Sequence, residues 1–188
     1  MKKTILAMSV LALTAGLLSF TPVKKEGNAL TVNTEKSRVD WVGTKKNDFH
    51  TGFFPIKSGS VTVEGGKLKG GKFVIDLANL KVTDAGGGDR LAGHLKSADF
   101  FDVAKNPEAT YEITGVSYSD ASTADITGNL SVKGLTVPVK LKANIRNADD
   151  KGFFAQSFLS IDKTLLGITY GTGNVANDVQ LAIHLFAK

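Results

Sequence analysis

Three histidines, His50, His94 and His184, are the side chains of this 188-residue chain best suited to acid–base or metal chemistry near neutral pH. An imidazole changes charge in that range, and its neutral form is a common metal ligand. Their spacing assembles no site. Neither HExxH nor HxH is present, so no helix face or strand offers two imidazoles to one zinc ion. Cysteine is absent, which removes thiolate ligands, thiol nucleophiles and disulfides together. A GxSxG nucleophile elbow is missing as well, and no paired carboxylates stand in a motif. The expectation is a chain with no catalytic residue, no metal and no cofactor in the strict sense. His94 keeps functional weight, because Asp89, Arg90, Lys96 and Asp99 place alternating charge around it. That cluster reads either as a polar rim meeting a ligand head group or as a salt-bridged surface turn.

The elements that would position these groups are mostly strands. From Ala124 to Lys133 the set Ala124, Ile126, Gly128, Leu130 and Val132 alternates with Asp125, Thr127, Asn129, Ser131 and Lys133. From Val137 to Arg146 the set Val137, Val139, Leu141, Ala143 and Ile145 alternates with polar residues or Pro138, and Lys133 to Thr136 is the turn between them. A period of two predicts a hairpin with one wet and one apolar face. Weaker alternation predicts strands at 38–44, 60–64, 72–77, 110–118, 153–161 and 179–186. Turn signals separate them at Gly65-Gly66, Gly70-Gly71, Asp120 to Thr123, Asp149 to Gly152 and Gly171 to Asn174. Only 89–98, DRLAGHLKSA, reads as a short helix, with Leu91 and Leu95 four apart after Asp89. Short strands without alternating helices disfavour a parallel βαβ fold and predict an all-β, roughly eight-stranded antiparallel barrel with the short helix at its mouth.

Composition agrees. The chain is 42% hydrophobic and 22% charged, with twenty glycines and four prolines, which suits one globular domain rich in tight turns. Residues 1–29 are set apart as a signal peptide and short linker: Lys2 and Lys3 precede an apolar run from Ile5 to Leu18 that is too short to span a bilayer. The formal charge of +5 falls to +3 if cleavage after Gly16 removes both lysines. Dispersed lysines on so mildly basic a body leave no nucleic-acid footprint. No cysteine follows the leader, so a lipoprotein anchor is not expected, and the protein is placed in the periplasm or outside the cell. A homodimer is compatible with the sequence.

Residues 93–115, GHLKSADFFDVAKNPEATYEITG, followed by ITGNLSVKGLTVPVKLKANI at 126–145, resemble the signature order of the YceI-like family. Residues 37–84 are similar to one branch of it. The resemblance implies a lipocalin-like barrel over residues 30–188 that holds a polyisoprenoid, an isoprenoid-quinone-like lipid or another long-chain amphiphile, for transport or sequestration and without catalysis. Three departures from the family pattern stand out: the loop Asn174 to Asp178 is short, Asn79 stands in LANL where a serine is usual, and Lys163 takes the place of an arginine, replacing a two-pronged contact by a point charge. The rival reading is a lipid-modifying barrel enzyme using His94 with a nearby acid.

Strand phase and flanking apolar segments then nominate a lumen lined by Trp41, Phe73, Tyr111, Ile113, Ile126, Leu130, Val139, Leu141, Phe158 and Ile168. Phe53, Phe100 and Phe101 are expected to guard the mouth, and His94 and Asp99 to supply its polar groups. Eleven phenylalanines favour such an interior. In the adjacent pairs 53–54, 100–101 and 153–154, one ring should face in and the other out wherever the pair lies on a strand.

Overall fold

The computed structural model describes residues 27–86 and 88–188, so residues 1–26 of the expected leader and linker lie outside the described residues, while Asn28 and Ala29, expected in the linker, belong to the barrel wall instead. Ten strands follow in chain order: β1 (Asn28–Thr31), β2 (Arg38–Lys45), β3 (Asp48–Glu64), β4 (Lys67–Asp76), β5 (Lys81–Val82), β6 (Glu108–Tyr118), β7 (Thr123–Val132), β8 (Leu135–Asp149), β9 (Gly152–Asp162) and β10 (Val175–Ala187). Helix α1 (Gly88–Lys96) lies between β5 and β6, and a 3₁₀ turn, Lys163–Leu166, follows β9.

β3 closes the sheet. Its seventeen residues outrun any one partner. The first half pairs with β2, from Lys45↔Asp48 to Arg38↔Pro55. The second half pairs with β4, from Ile56↔Ile75 to Glu64↔Lys67. The other antiparallel pairings run β2–β10–β9–β8–β7–β6–β4, which returns to β3 and gives a closed eight-stranded barrel. β1 continues the wall where β2 stops short: Asn28↔Val63 to Thr31↔Ser60 pair it with β3, and Val32 bridges Ala187. Buried Ser37 joins the seam, its hydroxyl donating to the Phe186 carbonyl at 3.1 Å and accepting from the Phe186 N–H at 3.0 Å.

The alternation read from 124–146 is the β7–β8 hairpin, with Ala124, Ile126, Gly128 and Val132 buried. Lys133 at φ 52° and Gly134 at φ 74° make its two-residue turn left-handed, the twist that tight hairpins require. Elsewhere the sequence reading is corrected. Gly70-Gly71 is no turn but the middle of β4, where Gly71 leaves room for the Phe73 ring. The strand expected at 60–64 is the end of β3, and the helix stops at Lys96 rather than Ala98.

The larger packed cluster lies at one end, and a smaller one of Leu77, Ala109, Val132, Leu166 and Ile168 lies at the other. Val61, Val63, Leu68, Ile145 and Phe153, none more than 7% exposed, fill the end closed by the β3–β4, β6–β7 and β8–β9 hairpins. The opposite end carries α1, the 3₁₀ turn and the β2–β3 and β7–β8 hairpins.

Between the two ends Tyr111 lies across Gly128, where a Cβ would stand 2.6 Å from both the Tyr111 hydroxyl oxygen and the Glu112 carbonyl oxygen. Backbone on one side and a ring on the other leave no room for it. Gly128→Ala is therefore expected to destabilise the barrel by about 1–3 kcal/mol, the usual cost of overpacking. Urea unfolding that gives an unchanged midpoint would contradict this packing.

Candidate functional site

The helix end of the barrel is hollow. A cavity of about 740 Å³ opens there, walled by Val39, Trp41, Phe54, Leu77, Leu130, Val132, Leu166, Ile168 and Leu181 among others. A second chamber of about 130 Å³ lies inward of it, lined by Phe73, Tyr111, Ile113, Ile126, Val139, Leu141 and Ala155 among others. Val39, Ile75, Leu130, Ile161 and Leu181 border both, so the two adjoin across these side chains. Closure makes this geometry sustainable: every stave is hydrogen-bonded to two neighbours, so an eight-stranded wall can stand around a ligand-sized void.

Helix α1 covers the opening. Arg90, Leu91, His94 and Leu95 line the cavity, pairs spaced to share one helix face, yet no α1 residue is fully buried. Its apolar stripe meets empty space rather than a packed core. The chain leaving α1 is tied back by bonds from the Phe101 and Val103 N–H groups to the Leu95 and Lys96 carbonyls, at 3.1 and 3.0 Å. The Lys133 ammonium donates to the Phe100 carbonyl, fastening this segment to the β7–β8 turn. Phe101 meets Phe54 edge-on at 5.4 Å between ring centroids. His94 sits edge-on to Phe100 at 5.1 Å and to Tyr170 at 4.6 Å.

The sequence-nominated residues divide accordingly. Trp41, His94, Phe100, Phe101 and Ile168 line the larger chamber; Phe73, Tyr111, Ile113, Ile126, Val139 and Leu141 line the smaller; Leu130 lines both. Three nominations need correction. Phe53 pairs with Asp40 on the outer face, under the Arg38 guanidinium, and Phe54 takes the inward place beside Trp41. Phe158 is 66% exposed, because the inward phase of β9 runs through Phe153, Ala155, Ser157 and Leu159. Asp99 is exposed and outside the cavity wall, and its carboxylate pairs with His94 Nε2 at 3.1 Å. The pair rule holds for Phe53-Phe54 and for Phe153-Phe154, where Phe154 stacks on Phe186 at 4.2 Å. Phe100 and Phe101 both face the cavity, since they lie in a turn and not a strand.

The polar part of the lining is sparse and one-sided. Lys45, His50, Arg90, His94 and Lys163 contribute to the larger chamber, and among the described residues no aspartate or glutamate lines either one. Lys163, legible in the sequence only as an arginine replacement, is 4% exposed. The Tyr111 hydroxyl donates to the Val139 carbonyl at 3.2 Å, and burial pushes its pKa up to about 12, so it remains a neutral donor. The Trp41 indole N–H is buried without an acceptor among the described residues. No group of three or more metal-ligating side chains occurs among them, and no helix among them is long and apolar enough to cross a membrane.

The YceI-like domain model matches residues 30–187. The chain belongs to the YceI-like family. A UPF0312 protein of Azotobacter vinelandii is 33% identical over 168 residues, 86% of this chain and 82% of that one. A UPF0312 protein of Pseudomonas aeruginosa is 31% identical over 196 residues, 97% and 96% of the two chains. Among solved structures, Burkholderia cenocepacia BcnA superposes with a TM-score of 0.72 at 23% identity, covering 84% of this chain and 99% of its own. A polyisoprenoid binding domain from Saccharophagus degradans gives 0.69 at 18% identity, covering 85% and 97%. At such identities the superpositions show a shared fold.

In this YceI-like barrel the mouth is braced by Asp84. Its carboxylate meets His50 Nδ1 at 3.0 Å and accepts from the Thr51 N–H at 2.9 Å and the Gly86 N–H at 3.1 Å. The His50 bond first, then the Thr51 bond, hold its pKa at about 2, below the ordinary 3.8. A carboxyl with a depressed folded pKa stabilises the fold above its unfolded value and loses that contribution as pH falls through the folded one. The window therefore runs from about 3.8 down to about 2. Asp84→Asn is expected to lower the melting temperature at neutral pH, with the gap to the parent narrowing across that window. A gap that stays constant with pH would contradict the assignment.

Proposed function

We propose that this protein is a non-enzymatic binder of one long-chain amphiphilic lipid, of the polyisoprenoid class, which it carries or sequesters in the periplasm or outside the cell. One observation carries the reading: a largely apolar void occupies the interior where a self-sufficient barrel would have side chains. A volume of about 740 Å³ lies within the roughly 300–1,000 Å³ typical of small-molecule pockets. Each methylene moved from water into such a wall contributes about 0.8 kcal/mol, so a chain threaded through both chambers needs no covalent bond or metal to stay. Relatives support the class, since one similar solved structure is described as a polyisoprenoid binding domain. Export agrees with the leader-like residues 1–29.

The rival reading, a lipid-modifying enzyme, draws support from the His94–Asp99 contact at 3.1 Å. The nearby Ser97 hydroxyl, however, donates to the His94 carbonyl at 2.8 Å, and among the described residues no hydroxyl bonds the ring. A nucleophile poised on that imidazole is therefore lacking there.

Trp41, the one tryptophan of the chain and a wall residue of the larger chamber, provides the readout. Titration with farnesol in the absence of detergent is expected to change its emission saturably at one equivalent. Ile126→Trp, which fills the inner chamber with apolar volume, should retain shorter chains and lose long ones when its bound lipid is weighed by mass spectrometry. A folded Ile126→Trp protein that holds long chains as well as the parent would exclude an interior site.

A further inference from the structure

Lys163 is the one lysine among the buried polar residues described, 4% exposed and part of the wall of the larger chamber. It sits at the start of the 3₁₀ turn, where its side chain leaves the turn for the interior. An ammonium removed from water needs a carboxylate or a full set of short hydrogen bonds. Lys163 has neither. Its Nζ reaches the Ile168 carbonyl and Asn177 Oδ1, both at 3.5 Å, the outer limit of a hydrogen bond. The adjacent carboxylate, Asp162, is committed to the turn itself, accepting from the Thr164 N–H at 2.8 Å and the Thr164 hydroxyl at 2.7 Å. Among the described residues Lys163 makes no ion pair, and the chamber it faces contains no acidic side chain to serve as one. Arg90 adds a second cation to the same lining from α1.

We propose that Lys163 is the head-group anchor of the cavity, and that the lipid it selects ends in an anionic oxygen, a carboxylate or a phosphate monoester. This rests on the lipid-binding reading above and adds the charge of the ligand to it. The ligand anion supplies the counter-charge that the fold leaves out, and it does so beside a buried ammonium in a mostly apolar wall, where a charge-assisted bond is strong. The apolar tail then runs inward past Leu130 to Tyr111 and Phe73. A lysine suits this task as a compact point charge with three donors, able to follow either a carboxylate or a phosphate oxygen.

Trp41 emission titrations without detergent test it with five probes: oleate and farnesyl monophosphate as anions, oleyl alcohol and farnesol as their neutral counterparts, and decylubiquinone as a neutral oxygen acceptor. The parent protein is expected to bind each anion about tenfold or more tightly than its alcohol and than the quinone, the scale of one charge-assisted hydrogen bond. The stronger of the two anions identifies the source as carboxylate or phosphate. Lys163→Met is expected to lose the preference for each anion over its alcohol and over the quinone, and to melt no lower than the parent in the absence of lipid. Equal affinity of the parent for anions, alcohols and quinone overturns the proposal while leaving the lipid site intact, and this comparison needs no variant. An anion preference retained in Lys163→Met, or a large fall in its lipid-free stability, overturns it too by assigning the lysine a purely structural role. Failure of the parent to bind any of the five overturns the lipid-binding reading beneath it.

Discussion

Closure of the sheet through β3 is the constraint that makes every other feature of this barrel possible. An open sheet must bury one face against another layer, and its edges must be covered. A sheet whose longest strand pairs with β2 along one edge and β4 along the other has no such edges to cover. Backbone hydrogen bonds then hold the wall whether or not its centre is filled. Because of this, the larger core cluster can lie at the end around Val61, Val63 and Leu68, and the helix end, with only a small buried cluster of its own, can enclose a cavity without collapse.

The hollow end is organised around that freedom. Helix α1 presents Leu91 and Leu95 to the cavity, and Phe100 and Phe101 follow on a turn bonded back to the helix and clasped by Lys133. His94 is held between the Phe100 and Tyr170 rings and Asp99, which together orient it. His50 and Asp84 secure the neighbouring segment at the start of β3. These contacts are local, and Phe100 and Phe101 also pack against the small buried cluster of Leu77, Ala109, Val132, Leu166 and Ile168. The lid is thus fixed at its ends while its inner face remains free for an apolar guest.

Much of this is legible in the sequence where the strand period is unbroken. The β7–β8 hairpin reads directly, because apolar and polar residues alternate without interruption, although its turn is only Lys133-Gly134, with Leu135 and Thr136 already in β8, and of the two turn residues only Gly134 is a type that left-handed backbone favours. β3 does not read that way. Pro55, Gly52 and Gly59 interrupt the pattern, and a register shift between Ile56 and Ser58 reverses the phase of the strand beyond it. Gly70-Gly71 resembles a turn because two adjacent glycines are turn-forming in isolation, whereas here they lie within β4 and Gly71 makes room for a ring. Phe158 reads as an inward residue on hydrophobicity, but the inward position of β9 next to it belongs to Ser157, buried through a 2.8 Å bond to the Lys142 carbonyl. A polar residue satisfied by the neighbouring strand can take an inward position, so strand phase outranks residue type there. Lys163 is visible in the sequence as a substitution, but its burial depends on the path of the 3₁₀ turn, which no local pattern encodes.

Whether the void is meant to be filled is the central question, and native mass spectrometry of the protein, purified without detergent, decides it. A principal species of one chain plus one lipid is expected, whose adduct on release is a long apolar chain with a single polar end. A bare chain that remains bare after incubation with isoprenoid and fatty-acid lipids would contradict a barrel built to hold a guest.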